Sequence, residues 1–128
     1  MQKVKEYLVQ GAPPLQSCHA SSVARLPDGS VCCVWFAGSA EGAGDVGIWG
    51  AWKRNGVWSE PRRIVGEKSL PHWNPVLFVR PDGLVELFYK VGRLIPSWST
   101  RFLISSTAGG PGRPRGSWCR GTPAAAVP

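Results

Sequence analysis

The sequence predicts an all-β protein built from a four-stranded unit used twice, and three observations predict it. The first is an internal repeat. Arg25-Leu26-Pro27-Asp28-Gly29-Ser30-Val31 followed by Trp35-Phe36 returns as Arg80-Pro81-Asp82-Gly83-Leu84-Val85 followed by Phe88-Tyr89, so that Pro27 and Pro81, like Gly29 and Gly83, stand 54 positions apart. The second is turn chemistry. In Pro-Asp-Gly the proline presets the backbone, the aspartate bonds its neighbours and the glycine accepts positive φ, so each copy reads as strand, tight turn, strand. The third is that no stretch longer than about ten residues carries a 3.6-residue apolar period, which leaves helices a minor part. Short antiparallel strands in fours, repeated at this spacing, describe the blades of a β-propeller. β-Sandwiches also use many short strands but seldom repeat their sequence.

The elements follow in order. Ser21 to Arg25 leads into the first turn, and Val31 to Ala37 leaves it with apolar residues on both faces, as a strand in the middle of a sheet does. Val46 to Lys53 comes next, with Val46, Ile48 and Trp52 on one face and Trp49 on the other. Asn55-Gly56 is a hairpin signal, after which Val57-Trp58 opens a short outer strand running through Ile64-Val65. The second unit starts at Pro75 to Val79, turns at Pro81-Asp82-Gly83, continues from Leu84 to Val91 and resumes at Arg101 to Ser105.

Composition narrows the class. The chain has 128 residues with 16 Gly and 12 Pro. That share of structure-breaking residues is high, yet a hydrophobic content of 43% with seven Trp argues for a packed fold over disorder. The longest apolar run is far below the ~20 residues of a membrane helix. Met1 to Gln10 lacks the ~7–15-residue apolar core of a secretory signal, so the sequence as given is expected to be cytoplasmic. The net charge is +7 from 15 basic and 8 acidic residues. All the acids lie at or before Glu86, and without Arg113, Arg115 and Arg120 the balance is 12 against 8, or +4. A nucleic-acid partner is therefore not indicated. Cys18, Cys32, Cys33 and Cys119 show no CxxC spacing, which implies neither a metal nor a redox motif. Cys32 and Cys33 are adjacent and should face opposite sides of their strand as free thiols.

The run His19-Ala20-Ser21-Ser22-Val23, Leu26-Pro27-Asp28-Gly29, Trp35-Phe36-Ala37-Gly38, Gly44-Asp45-Val46-Gly47-Ile48 and Trp58-Ser59-Glu60-Pro61 resembles the first blade of the sialidase-like, Asp-box (BNR) repeat family of predicted neuraminidases. His72-Trp73-Asn74-Pro75-Val76-Leu77-Phe78 and Leu87-Phe88-Tyr89-Lys90-Val91-Gly92 resemble the opening of its second blade. The resemblance covers residues 15–105 and implies part of a six-bladed propeller of sialidase type, about two four-stranded blades. After Ser105 the family pattern expects Ser-x-Asp-x-Gly-x-Thr-Trp, whereas residues 107–116 run Thr-Ala-Gly-Gly-Pro-Gly-Arg-Pro-Arg-Gly. Codons taken one frame over admit Thr-Trp-Ser-Ala-Pro-Arg-Glu-Leu there, with the Trp 54 positions after Trp58. Residues 106–128 are thus expected to be a frameshifted tail or a disordered Gly/Pro/Arg-rich one. Two blades alone leave both ends open, so the chain by itself is expected to be marginally stable and catalytically inactive.

The resemblance implies a glycan substrate, no cofactor and no obligate protein partner. Sialidases hold the substrate carboxylate with three Arg, use an Asp as acid/base and attack with a Tyr. One Arg of that set falls where this chain has His19, which cannot fork onto a carboxylate. Asp45 stands where the acid/base Asp is expected; a solvated turn aspartate is the competing reading. Asn74 could bond sugar hydroxyls or simply form a turn before Pro75. Trp73 and Trp98 could stack on sugar rings, while Trp35, Trp52 and Trp58 read as core. His19 and His72 lie 53 apart, one short of the repeat, and read as equivalent blade openings whose imidazoles could converge in a central funnel. That pair suits a rival class, a uronate-polysaccharide lyase with His as base, against which a structural role for each ring also stands. A propeller that binds glycans without catalysis is the third reading.

Overall fold

A computed structural model describes residues 1–106 and 118–120. The fold is all-β, two antiparallel sheets with one 3₁₀ turn, Ile95–Ser97. The first sheet contains β1 (Ser17–Arg25), β2 (Val31–Gly38), β3 (Gly47–Arg54), β4 (Val57–Trp58) and β5 (Arg62–Val65). The second contains β6 (His72–Val79), β7 (Leu84–Val91), β8 (Ser99–Ser106) and β9 (Trp118–Arg120), hydrogen-bonded in that order. No helix among the described residues is long and apolar enough to cross a membrane.

The two Pro-Asp-Gly turns are the same turn twice. Leu26 N donates to Ser30 O at 2.8 Å and Gly29 N to Leu26 O at 2.9 Å; Arg80 N to Leu84 O at 2.8 Å and Gly83 N to Arg80 O at 3.0 Å repeat the pattern. Asp28 and Asp82 each accept from the backbone N–H two residues on. Gly29 and Gly83 both have φ 86°, a value that only glycine adopts without strain.

Each sheet is longer at one end than the apolar pattern indicates. β1 begins at Ser17, not Ser21, and β6 at His72, not Pro75, because each carries a bulge: Ala20 at φ 52° and Asn74 at φ 47°. A bulge adds an unpaired residue and breaks the alternation by which strands are recognised. The outer strand of the first sheet is split. β4 and β5 both pair with β3, and between them Pro61 has no N–H to give while the Ser59 hydroxyl accepts from Trp52 N at 3.0 Å. The segment 106–128 contributes β9, paired with β8 through Leu103↔Arg120, Ile104↔Cys119 and Ser105↔Trp118. The proposed frame change and the rest of that segment lie outside the described residues.

The sheets pack face to face, as neighbouring blades do. Cys32, Val34, Phe36, Val46, Ile48 and Trp52 of the first meet Val85, Leu87, Tyr89, Val91 and Leu103 of the second. A hydrogen bond from Leu77 N to Ser22 Oγ, 3.1 Å, ties β6 to β1. The far face of the first sheet holds Trp35, Ala37 and Ala51, against which Leu8, Val9 and Leu15 lie as a strap. Glu6 fastens that strap by accepting from Lys53 Nζ at 2.7 Å and Trp58 Nε1 at 3.1 Å. Cys32 and Cys33 fall on opposite faces, as alternation requires.

Candidate functional site

Antiparallel pairing collects the chemistry-bearing residues at one end of the molecule. Ser17 pairs with Gly38, Ala37 with Gly47, and Ile48 with Val65, while His72 pairs with Val91 and Val91 with Ser99. The Pro-Asp-Gly turns occupy the opposite end. His72 N donates to Val46 O at 3.1 Å, which locks the two sheets in step at the functional end.

Asp45 sits in the β2–β3 connection. Its carboxylate accepts from Ser39 N at 3.1 and 3.2 Å and from Ser39 Oγ at 3.0 Å, so the loop folds back on itself around the acid. The acid lines an open cavity of about 440 Å³ together with Arg63, Glu67, Lys68 and Ser69. The Arg63 side chain runs through space that glycines leave: a methyl on Gly47 would stand 2.8 Å from both Arg63 Nε and Val65 O. Beside it Arg101 forms an ion pair with Glu67. Sequence reasoning missed Arg63 and Lys68. The available signal was the basic pair following Pro61, of which the β3–β5 pairing brings Arg63 to the cavity that Asp45 lines.

His19 is exposed at the start of β1. Its Nε2 lies 2.8 Å from Ser17 Oγ and 3.9 Å from Glu41 Oε2 of the same loop that carries Asp45. The ring stacks on Phe36 with centroids 5.3 Å apart, Phe36 meets Trp73 edge-on at 5.5 Å, and Trp73 lies 5.2 Å from Trp98. Trp73 is fixed by donating Nε1–H to Gly92 O at 2.8 Å. These rings form a row across the boundary between the sheets. Asn74 is exposed at the β6 bulge beside it. His19 also lines a second cavity, about 320 Å³, with Leu8 and Val9 of the strap and with Trp35. Asp45 and His19 thus border different cavities.

His72 is placed otherwise. It is fully buried, stacked on Tyr89 at 5.6 Å, and its Nδ1 donates to Leu70 O at 2.9 Å. Nε2 has no hydrogen-bond partner among the described residues. Burial pushes its pKa below the ordinary 6.5. The expected equivalence of His19 and His72 is corrected by register. His19 pairs with Phe36 and Trp73 with Lys90, positions related by the 54-residue repeat, so Trp73 is the counterpart of His19 and His72 that of Cys18. A one-residue offset reverses the face. The structure therefore groups His19 with Phe36, Trp73 and Trp98, groups Asp45 with Arg63 and Lys68, and keeps His72 inside.

Two face-packed, repeated antiparallel sheets with loops gathered at one end define a pair of blades of the repeat-built β-propeller class. The family described as BNR repeat-like domain matches residues 29–117, and the chain belongs to that family. No curated protein matches the chain.

Proposed function

We propose that these blades belong to a sialidase-like, glycan-processing propeller and that the cavity holding Asp45 takes an acidic sugar. The observation that carries this reading is an aspartate in one open cavity with two cations, Arg63 and Lys68, where the other acid, Glu67, is already engaged by Arg101. Arg63 gives a planar fork suited to a carboxylate and Lys68 a point charge that reinforces it. Asp45 is the acid/base: it donates a proton to the departing glycosidic oxygen as that bond breaks, a nucleophile supplied by another part of the propeller bonds to the anomeric carbon, and Asp45 then takes a proton from the water that displaces it. Trp73, Trp98 and Asn74 lie outside that lining, on the row beside His19, and offer ring faces and a side-chain amide to a further sugar unit of the glycan. Membership of a domain family found in sialidase-like and other glycan-related proteins supports the same reading.

The lyase reading narrows to His19, because a fully buried His72 offers no nitrogen to a sugar. For the chain as it stands, binding is the direct readout. Calorimetry with sialylated and uronate-containing oligosaccharides should show binding that weakens about tenfold or more in Arg63→Ala, on the scale of one lost charge-assisted contact. Equal affinity of the wild type and Arg63→Ala, or no binding of either sugar, overturns the assignment. In a full-length homologue, release of sialic acid from a synthetic sialoside supports the hydrolase, and a new ultraviolet double-bond absorbance supports the lyase. Binding with neither leaves a glycan-binding propeller.

A further inference from the structure

Among the described residues, the second sheet has one covered face and one bare face. On the bare face Val76, Phe88 and Phe102 form one cross-strand row, and Phe78, Glu86 and Ile104 the next. Val76 and Phe78 are 54% and 52% exposed, and Phe88 stacks on Phe102 with centroids 5.8 Å apart. Five apolar side chains on one flat sheet face is more than scattered surface hydrophobicity.

The repeat says what shape this face fits. Residues 86, 88 and 90 are the 54-residue counterparts of Cys32, Val34 and Phe36, which in the first sheet receive the face bearing Val85, Leu87, Tyr89 and Val91. Val85, Leu87, Tyr89 and Val91 are in turn the counterparts of Val31, Cys33, Trp35 and Ala37. The intrachain interface therefore joins a Val34-type face to a Trp35-type face, and the chain carries one further face of each type. The spare Val34-type face is the bare one around Phe88. The spare Trp35-type face lies under the strap of Leu8, Val9 and Leu15.

From this repeat we infer that the chain associates with a second copy of itself head to tail, the Phe88 face of one copy seating on the Trp35 face of the next after its strap has lifted. The contact is heterologous, the same interface already formed between the two sheets, and so it propagates in one direction. Opening the Trp35 face breaks the Glu6 bonds to Lys53 and Trp58 and uncovers apolar surface that the incoming sheet covers again. The strap thus competes with a second copy for one surface. The inference is independent of the glycan reading.

Sedimentation velocity of the full chain over a concentration series tests it. The wild type should show association that rises with concentration. Val76→Glu, at a position already half exposed, should weaken it about tenfold or more, as a charge placed inside an apolar contact does, with the circular dichroism melt unchanged. Leu8→Asp with Val9→Asp, which loosens the strap, should strengthen it. Amine cross-linking of mixed light and isotope-labelled chains supplies the direction: Lys90 to Lys53 between copies supports the head-to-tail contact. Intermolecular Lys90-to-Lys90 links alone mean a symmetric dimer and overturn it. So does a wild type that stays monomeric at every concentration, or one whose association Val76→Glu leaves unchanged.

Discussion

β2 and β7 are counterparts in the repeat and yet live in different surroundings. β2 is buried along nearly its whole length, whereas β7 alternates strictly, with Val85, Leu87, Tyr89 and Val91 buried and Leu84, Glu86, Phe88 and Lys90 half-buried. Their sequences anticipate this: Val-Cys-Cys-Val-Trp-Phe-Ala is apolar throughout, while Leu-Val-Glu-Leu-Phe-Tyr-Lys-Val admits two charges on one face. The difference lies in what covers each sheet. The first is sandwiched between the second sheet and the strap, and among the described residues the second has a neighbour on one side only. A blade's composition thus records how many neighbours it has.

The largest expected effect breaks the shared interface. Leu87→Ala removes a fully buried side chain between the sheets and should cost about 2–5 kcal/mol in urea unfolding. Its sequence neighbour Phe88→Ala, on the other face, should cost less, about 1–2 kcal/mol, despite deleting more carbon atoms, since that ring keeps part of its area in water while Leu87 keeps none. Equal losses would mean that both faces are covered.

A smaller effect is set by pH. Burial lowers the His72 pKa in the fold, so below pH 6.5 the unfolded chain takes up a proton that the folded chain refuses. The stability contribution is intact above that pH and is lost as the pH falls from there toward the folded value. A series of melts across this window should show a decline that His72→Gln lacks.

The least perturbing test is chemical. Of the three cysteines described, alkylation near neutral pH should reach exposed Cys18 first, half-buried Cys33 more slowly and Cys32 hardly at all. Burial pushes the Cys32 thiol up to about 12, with the neighbouring Cys33 adding to the rise. Peptide mass spectrometry reads the order, and early labelling of Cys32 would show that the two sheets separate.

Turns and central strands were legible before any coordinates. Pro27-Asp28-Gly29 and Pro81-Asp82-Gly83 carry their mechanism in their own residues, and Leu84–Val91 was read to the residue. The bulged openings were not legible, because Ala20 and Asn74 adopt positive φ without the glycine that would announce it. From that miss came the pairing of His19 with His72. Asp45 is visible as a loop acid after Gly44, but the cations of its cavity are not, since Arg63 comes there through β5 and Lys68 through the segment that follows it.

The amino-acid sequence by itself determined the repeat, its turns, the all-β class and the one end where chemistry collects, because local backbone preference and alternation act over a few residues. Only the tertiary structure decided that Trp73 answers His19, that His72 is sealed against Tyr89, that Arg63 stands by Asp45, and that one sheet face is strapped while its counterpart is bare. Those outcomes depend on register and on contacts between distant segments, where a shift of one residue exchanges the buried face for the exposed one.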